Sequence, residues 1–265
     1  MKKIYVILGV LAGVYVGVML IVYGRDYQKE QTELKKSSYI LIDNNIRWEY
    51  RKGYWYNLND KDLVKILNEN EFQVFENKRK MGTYHLNNYD ETWYFFDSKN
   101  NSKQIEGKFF GFSGDKTINV LNREPVEMSS LDEEYYRQIL NDNKISYEEL
   151  KNLSTKQKLV YDLDDDGETE TIYAVSNVFS NTIYSDKVFS FVYIIDNQKI
   201  QLLTSEINEI RDVLSTYSYS IAYIVDINED RKYELILEGN IFRPNSDCYK
   251  MFQEIRGNYK MIKAC

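Results

Sequence analysis

The chain has 265 residues, which is enough for one large domain or two small ones. A hydrophobic content of 43% suffices for a packed core, and a net charge of −7 argues against binding to nucleic acid, which requires a basic face. The single histidine, His85, leaves little scope for histidine-based catalysis, and no nucleophile elbow, zinc-protease motif or phosphate-binding loop is present in the sequence.

The first predicted element is a membrane anchor. Residues 4–24 carry no charge and follow Lys2 and Lys3. About 20 apolar residues cross a bilayer as a helix, whereas a cleaved signal peptide has a shorter apolar region. We therefore predict an uncleaved transmembrane segment over residues 1–24 that contacts the membrane through residues 4–24. Cleavage near Gly24 is the alternative.

Three glycines are spaced four residues apart inside this segment. Gly9, Gly13 and Gly17 would form one smooth stripe along a helix, where a second helix can approach closely. This spacing predicts a homodimer through the membrane. The alternative is that glycine is simply common in membrane helices.

A polar stalk, residues 25–37, leads into a predicted antiparallel β domain over residues 38–123. Its strands are recognised by β-branched and aromatic runs separated by Asn, Gly and Asp. A short helix over residues 60–68 has an apolar face. The predicted strands cover residues 46–50 and 54–56, which form a hairpin, and then 72–75, 83–86, 92–96, 104–112 and 117–121.

Residues 124–156 are predicted to be a helical connector. A helix should run from Ser130 to about residue 141, because Ser130 and Glu133 have the spacing of a capping box. Residues 146–153 add a second short helical piece.

The strongest chemical signal in the sequence is an acidic loop that follows this connector. Residues 162–170 contain six carboxylates, and predicted strands flank them on both sides. Calcium takes six to eight oxygen ligands, and a glycine at the sixth position permits a sharp turn. The predicted ligands are Asp162, Asp164, Asp166, the carbonyl of Glu168, and Glu170. The alternative is a solvated acidic turn without a metal.

A second copy of this pattern begins 64 residues later. Its predicted ligands are Asp226, Asn228, Asp230, the carbonyl of Lys232, and Glu234. Arg231 replaces the glycine, and a non-glycine residue in a left-handed conformation costs roughly 1 kcal/mol. We therefore expect Ca²⁺ at the first loop and a weaker or empty second site. Neither loop is an EF-hand, because the flanks read as strands and position 12 of the first is Tyr173.

This arrangement of strand, D-x-[DN]-x-D-x-x-x-E and strand resembles the FG-GAP/VCBS family of calcium-binding β repeats. The resemblance covers residues 157–265 and implies calcium ligands at positions 1, 3, 5, 7 and 9 of both loops. The chain has two such repeats, whereas a closed propeller needs four or more blades. The first half of the chain resembles uncharacterised membrane-anchored proteins of Gram-positive bacteria, a likeness that implies no activity.

Two hairpins complete the repeats, so that each repeat is predicted to form a four-stranded sheet. One joins residues 187–195 to 199–203, and the other joins 248–255 to 258–265. If the last hairpin turns between residues 256 and 257, Cys248 and Cys265 face each other within disulfide range. The alternative is two unrelated thiols.

The sequence thus predicts a mainly β protein with a few short helices behind an N-terminal transmembrane helix. We expect it to be single-pass in the cell membrane with its bulk outside, where Ca²⁺ is abundant. Its expected role is binding or structural, without enzyme activity and with an unknown extracellular ligand. One alternative is a cell-wall glycan hydrolase that uses two carboxylates. Another is an assembly or sensor partner that dimerises through the anchor.

Overall fold

A computed structural model describes residues 37–264 apart from short gaps. The gaps are residues 44, 52–53, 59–65, 90–91, 105–107, 115–117, 122–124, 182, 184–185, 229 and 244–246. The predicted anchor, its three glycines (Gly9, Gly13 and Gly17), all of the stalk before residue 37, and Cys265 lie outside the described residues.

The described chain is mainly β, as predicted, and its sheets are antiparallel. The strands of its first part are β1 Ser38–Ile42, β2 Asn45–Arg51, β3 Tyr54–Asn57, β4 Glu71–Glu76, β5 Arg79–Tyr89, β6 Thr92–Phe96, β7 Ser102–Gln104, β8 Phe109–Ser113 and β9 Asn119–Val120. Those of its second part are β10 Thr155–Tyr161, β11 Glu170–Ser176, β12 Lys187–Asp196, β13 Lys199–Glu209, β14 Ser218–Asp226, β15 Glu234–Asn240, β16 Cys248–Glu254 and β17 Tyr259–Lys263.

Within the part of the chain that the structure describes, helical structure is limited to one helix and a few short turns. Helix α1 is Ser130–Asp142, and 3₁₀ turns follow at Tyr147–Asn152 and Ile210–Ser215. Residues 66–69 are also helical, within the predicted helix of residues 60–68. Among the described residues, no helix is long and apolar enough to cross a membrane.

Contacts divide the chain into two compact units. The second unit comprises residues 116–265 with the short piece 77–80, and the rest of the chain forms the first. The first unit is built on one eight-stranded sheet with the order β3-β2-β1-β8-β4-β5-β6-β7. Its core includes Leu41, Phe72 and Phe95, together with Ile66 and Leu67 from the helical turn.

The second unit is a three-layer stack. Strands β10–β13 form a four-stranded sheet, as predicted, and strands β14–β17 form the neighbouring sheet. One face of β12 contributes Val192 and Ile194 to a core shared with Leu235 and Leu237 of β15. Because side chains alternate along a strand, the other face of β12 packs against α1.

The neighbouring sheet has five strands, one more than predicted. The additional strand is β9, which pairs with the end of β14 through Val120↔Val225 and Asn119↔Asp226. The sequence predicts a strand over residues 117–121 but assigns it to the preceding β domain, because its pairing with β14 depends on a contact that is distant in the chain. Its pairing covers the end of β14 immediately before the second acidic loop.

The capping box of α1 lies one residue earlier than predicted. The N-cap is Ser129, and its partner is Asp132 rather than Glu133. Asp132 is buried, and its carboxylate accepts hydrogen bonds from Lys158 Nζ at 2.8 and 2.9 Å and from the Tyr173 hydroxyl. These contacts fix which of the two neighbouring serines begins the helix.

The last hairpin has the predicted register only near its turn. Glu254↔Tyr259, Gln253↔Lys260 and Phe252↔Met261 pair as expected, but a bulge shifts the next pair to Met251↔Lys263. Direct opposition therefore does not extend to Cys248. This residue is buried and disulfide-bonded. Its predicted partner, Cys265, lies outside the described residues.

Candidate metal centre in the first acidic loop

The two acidic loops connect β10 to β11 and β14 to β15 in equivalent positions. The pair that closes the first loop is Tyr161↔Glu170, and the pair that closes the second is Val225↔Glu234. The apolar residue at position 2 of each loop, Leu163 or Ile227, is buried. Leu163 belongs to the core shared by both sheets, whereas Ile227 is buried but is not part of that core cluster.

The first loop brings three carboxylates together. Asp162, Asp164 and Asp166 each offer an oxygen that lies within 4.8 Å of the other two. Among the described residues, this is the group of acidic side chains that has the geometry to hold a metal ion. Three converging carboxylate oxygens are hard donors of the kind that Ca²⁺ and Mg²⁺ take.

Backbone hydrogen bonds hold this loop in its curled form. The Asp162 carboxylate accepts from Asp166 N at 3.2 Å and from Gly167 N at 3.0 Å, and Asp166 Oδ1 accepts from Glu168 N at 2.8 Å. Gly167 has a φ of 91°, in the left-handed region that the motif requires at position 6. These hydrogen bonds give the loop the curled backbone on which the three carboxylates converge.

Glu170, the predicted ligand at position 9, has a role within the fold. Its side chain is only 4% exposed, and Oε2 accepts a hydrogen bond from Leu163 N at 2.6 Å. Burial, followed by the negative charge of Asp164, raises the pKa of Glu170 to about 7. Glu170 lies outside the three-carboxylate group, as does the exposed side chain of Glu168.

The triad itself is electrostatically costly without a cation. Burial and the neighbouring Asp166 raise the pKa of Asp164. Asp164 Oδ1 is buried and has no hydrogen-bond partner among the residues that the structure describes. An oxygen in this condition is destabilising until a cation or a donor reaches it.

The second loop repeats the scaffold of the first, with an asparagine in place of an aspartate at position 3. Glu234 Oε2 accepts from Ile227 N at 3.0 Å, and Asp230 Oδ1 accepts from Lys232 N at 2.8 Å, as at the equivalent positions of the first loop. Burial raises the pKa of Glu234 to about 8. At position 3, the Asn228 amide donates to Asp230 Oδ2 at 2.9 Å.

Two basic side chains of the second loop form ion pairs with acidic groups outside that loop. Arg231 has a φ of 66° and lies 3.2 Å from Asp165 of the first loop. Lys232 Nζ lies 2.5 Å from Glu254 Oε2. Asp226, which opens the loop, also pairs with β9. The second loop therefore carries two basic residues, whereas residues 162–170 of the first loop contain none.

The two loops lie side by side at one end of the two sheets. Tyr233 N donates to the Leu163 carbonyl at 2.8 Å, and the rings of Tyr161 and Tyr233 meet edge to face at 5.3 Å. These contacts join the two loops directly. They place the basic groups of the second loop next to the acidic triad of the first.

A small cavity lies behind the first loop, and sequence reasoning missed its lining. Its volume is about 20 Å³, and its polar wall combines Asp164 and Glu170 with Asp196, Glu254 and Tyr259. The last three come from β12, β16 and the start of β17, and only the stacking of the two sheets brings them to the loop. No motif in the sequence marks them.

Comparisons with known proteins give no match. No family model matches the chain, and neither a curated protein nor a solved structure does.

Proposed function

We propose that this protein is a membrane-anchored, extracytoplasmic binding or structural protein whose first acidic loop holds Ca²⁺. The observation that carries the calcium site is the convergence of Asp162, Asp164 and Asp166 within 4.8 Å of one another. The location rests on the apolar segment over residues 4–24 and on the abundance of Ca²⁺ outside the cell.

The loop favours calcium over magnesium because of how its donors are held. Magnesium demands near-ideal octahedral geometry and keeps several waters, whereas calcium accepts irregular sets of six to eight oxygens. The triad lies on a short hairpin loop whose carboxylates also accept backbone hydrogen bonds. Carboxylates held in this way cannot easily move into octahedral positions, so they suit calcium, which accepts an irregular set of ligands.

The role of the ion on this proposal is to stabilise the ectodomain. At 1 mM Ca²⁺ and a dissociation constant near 10⁻⁴ M, which is typical of extracellular sites, binding adds about 1.4 kcal/mol to the free energy of unfolding. The loop is anchored by Leu163 in the core shared by both sheets. Ion binding at the loop therefore stabilises the whole stack, while another surface of the molecule meets the extracellular ligand.

Thermal unfolding of the full-length chain in detergent tests this proposal. Calcium should raise the midpoint by about 3–6 °C relative to chelator, as expected for a domain of this size, and magnesium should not. Asp162→Asn should remove the calcium effect. Asp226→Asn, at the same position of the second loop, is the matched control and should retain it. Equal loss in both variants, or no calcium effect in the wild type, would refute the proposal.

A further inference from the structure

Three connections of the second unit lie at the end of its two sheets that is opposite the acidic loops. Strands β11 and β15 each begin at an acidic loop and run away from it, so residues 177–186 and 241–247, which follow them, leave the sheets at the other end. Residues 210–217 leave at this end as well, because β13 pairs antiparallel with β12. We call the described part of these three connections the distal tip.

The distal tip exposes four large apolar side chains. Phe179 is 37% exposed, Ile210 43%, Phe242 48% and Leu214 58%. The rings of Phe179 and Phe242 meet at 4.6 Å, which joins the first connection to the third. Ile210 N donates to the Asp186 carbonyl at 2.6 Å, which joins the second connection to the first. The four side chains therefore belong to one end of the molecule and are not scattered over its surface.

The backbone beneath these side chains is fixed by burial and hydrogen bonds. Val178 is buried next to Phe179, whose backbone N–H donates to Ser154 Oγ at 3.1 Å. Thr216 is buried at the end of the second connection, and its hydroxyl accepts from Asn208 Nδ2 at 3.0 Å. The fold itself therefore directs these apolar side chains outward.

The charges of the distal tip nearly cancel. Arg211 and Arg243 are exposed beside the apolar side chains, and Asp186, Asp212 and Asp247 lie in the same three connections. Arg211 is within 3.8 Å of Asp212. A surface without excess positive charge does not select an anionic partner, so the apolar side chains must supply the contact. The two long arginine side chains can keep their charged ends in water while the apolar side chains are buried.

From these observations we infer that the distal tip inserts into the surface of the lipid bilayer to which the chain is anchored. Grouped apolar side chains on a protein surface mark contacts with proteins or membranes, and phenylalanine and leucine are the side chains that enter the acyl boundary. The inference rests on the proposed anchor over residues 4–24. Residues 25–36 follow it, and a stretch of this length spans at most about 43 Å when fully extended. The described chain is therefore held close to a bilayer, which is the reason for choosing lipid over a second protein.

The inserted tip would give the second unit a defined orientation. The acidic loops lie at the opposite end of the sheets, so they would face the medium in which Ca²⁺ is available. Residues 162–170 carry six carboxylates, which anionic headgroups repel. The apolar end and the acidic end therefore favour the same orientation.

Tryptophan quenching in vesicles tests the inference. Full-length Phe242→Trp is reconstituted in chelator into phosphatidylcholine vesicles with plain or brominated acyl chains, since bromine quenches tryptophan on contact. After subtraction of the wild-type emission, the added emission should fall by at least about twofold in brominated vesicles. Leu202→Trp is the matched control, because Leu202 is 49% exposed but lies near the acidic-loop end of β13. Its added emission should not fall.

The outcomes separate the inserted tip from the proposed anchor. Wild-type chain that stays on the vesicles in alkaline carbonate, together with quenching in Phe242→Trp alone, supports both. Retention without quenching would place the tip in water or, if the emission is shifted to the blue, against a second chain. Either result, or equal quenching in Leu202→Trp, would overturn the inserted tip and leave the anchor standing. Release of the wild type in carbonate would overturn both. Phe242 is exposed, so its replacement by another aromatic residue does not threaten the fold.

Discussion

Glu170→Gln should stabilise the calcium-free protein at alkaline pH while leaving it unchanged at acidic pH. Glu170 is buried beneath the first loop, where its carboxyl accepts from Leu163 N at 2.6 Å. Burial raises its pKa from an ordinary value of 4.5 to about 7. The folded state therefore favours the protonated form, and it binds more protons than the unfolded state between pH 4.5 and 7.

The sign and size of the effect follow from proton linkage. Stability falls with rising pH wherever the folded state binds more protons. One pKa unit corresponds to 1.36 kcal/mol, so ionising Glu170 lowers the free energy of unfolding by at most about 3 kcal/mol between pH 4.5 and 8. A glutamine keeps an acceptor oxygen for Leu163 N and carries no charge at any pH. It should therefore recover most of this loss.

Denaturant unfolding in calcium-depleted buffer, followed by tryptophan fluorescence, measures the effect at pH 5 and pH 8. The exposed Glu168→Gln is the control and should change stability by no more than about 0.5 kcal/mol at either pH. A wild-type stability that is flat or rises between pH 5 and 8 would refute the reasoning. So would a Glu170→Gln variant that is no more stable than the wild type at pH 8.

Two further pairs of substitutions test the loop backbone and the buried ion pair. Gly167→Ala should lower the free energy of unfolding by about 1 kcal/mol, because a φ of 91° strains any residue with a side chain, even though no atom lies within 4 Å of the added methyl. Arg231→Gly should raise the free energy of unfolding, because it relieves the same strain at the equivalent position. If denaturant unfolding shows that both variants shift the free energy in the same direction, the backbone argument is contradicted. Lys158→Met should lower the free energy of unfolding by about 3 kcal/mol, because it leaves the buried Asp132 carboxylate without its ammonium partner. Lys151→Met, which breaks an exposed ion pair, should lower it by less than about 1 kcal/mol in the same assay. Similar losses in the two lysine variants would show that burial does not decide the strength of these pairs.

The hairpins could be predicted because the residues that specify each of them are close together in the sequence. The turn at residues 196–198 and the alternation on either side of it specify β12 and β13 without reference to the rest of the chain. The same holds for β2 and β3, where Arg51 pairs with Tyr54 across the expected turn. The left-handed conformation at position 6 of both loops was also predictable, since the motif requires it.

Features that depend on distant contacts were not predictable. The added strand β9 pairs with β14 across about a hundred residues of sequence, and the choice of Ser129 as helix cap depends on Asp132 meeting Lys158 and Tyr173. The bulge beside Met251 likewise has no signal in the local pattern.

The candidate site likewise has a part that could be predicted from local sequence and a part that could not. Its three aspartates lie within five residues of one another, so their spacing alone indicates that they converge. The cavity wall behind them is assembled from both sheets, where Gln201 of β13 hydrogen-bonds to the backbone of Tyr259 of β17. Sequence spacing therefore indicates the loop, and tertiary packing decides what surrounds it.

A crystal structure of the full-length chain grown with Ca²⁺ would test the central claim most directly. The proposal predicts an ion in the first loop at 2.3–2.6 Å from oxygens of Asp162, Asp164 and Asp166, which is the distance range for calcium. Ordered carboxylates with only water between them at saturating calcium would contradict it.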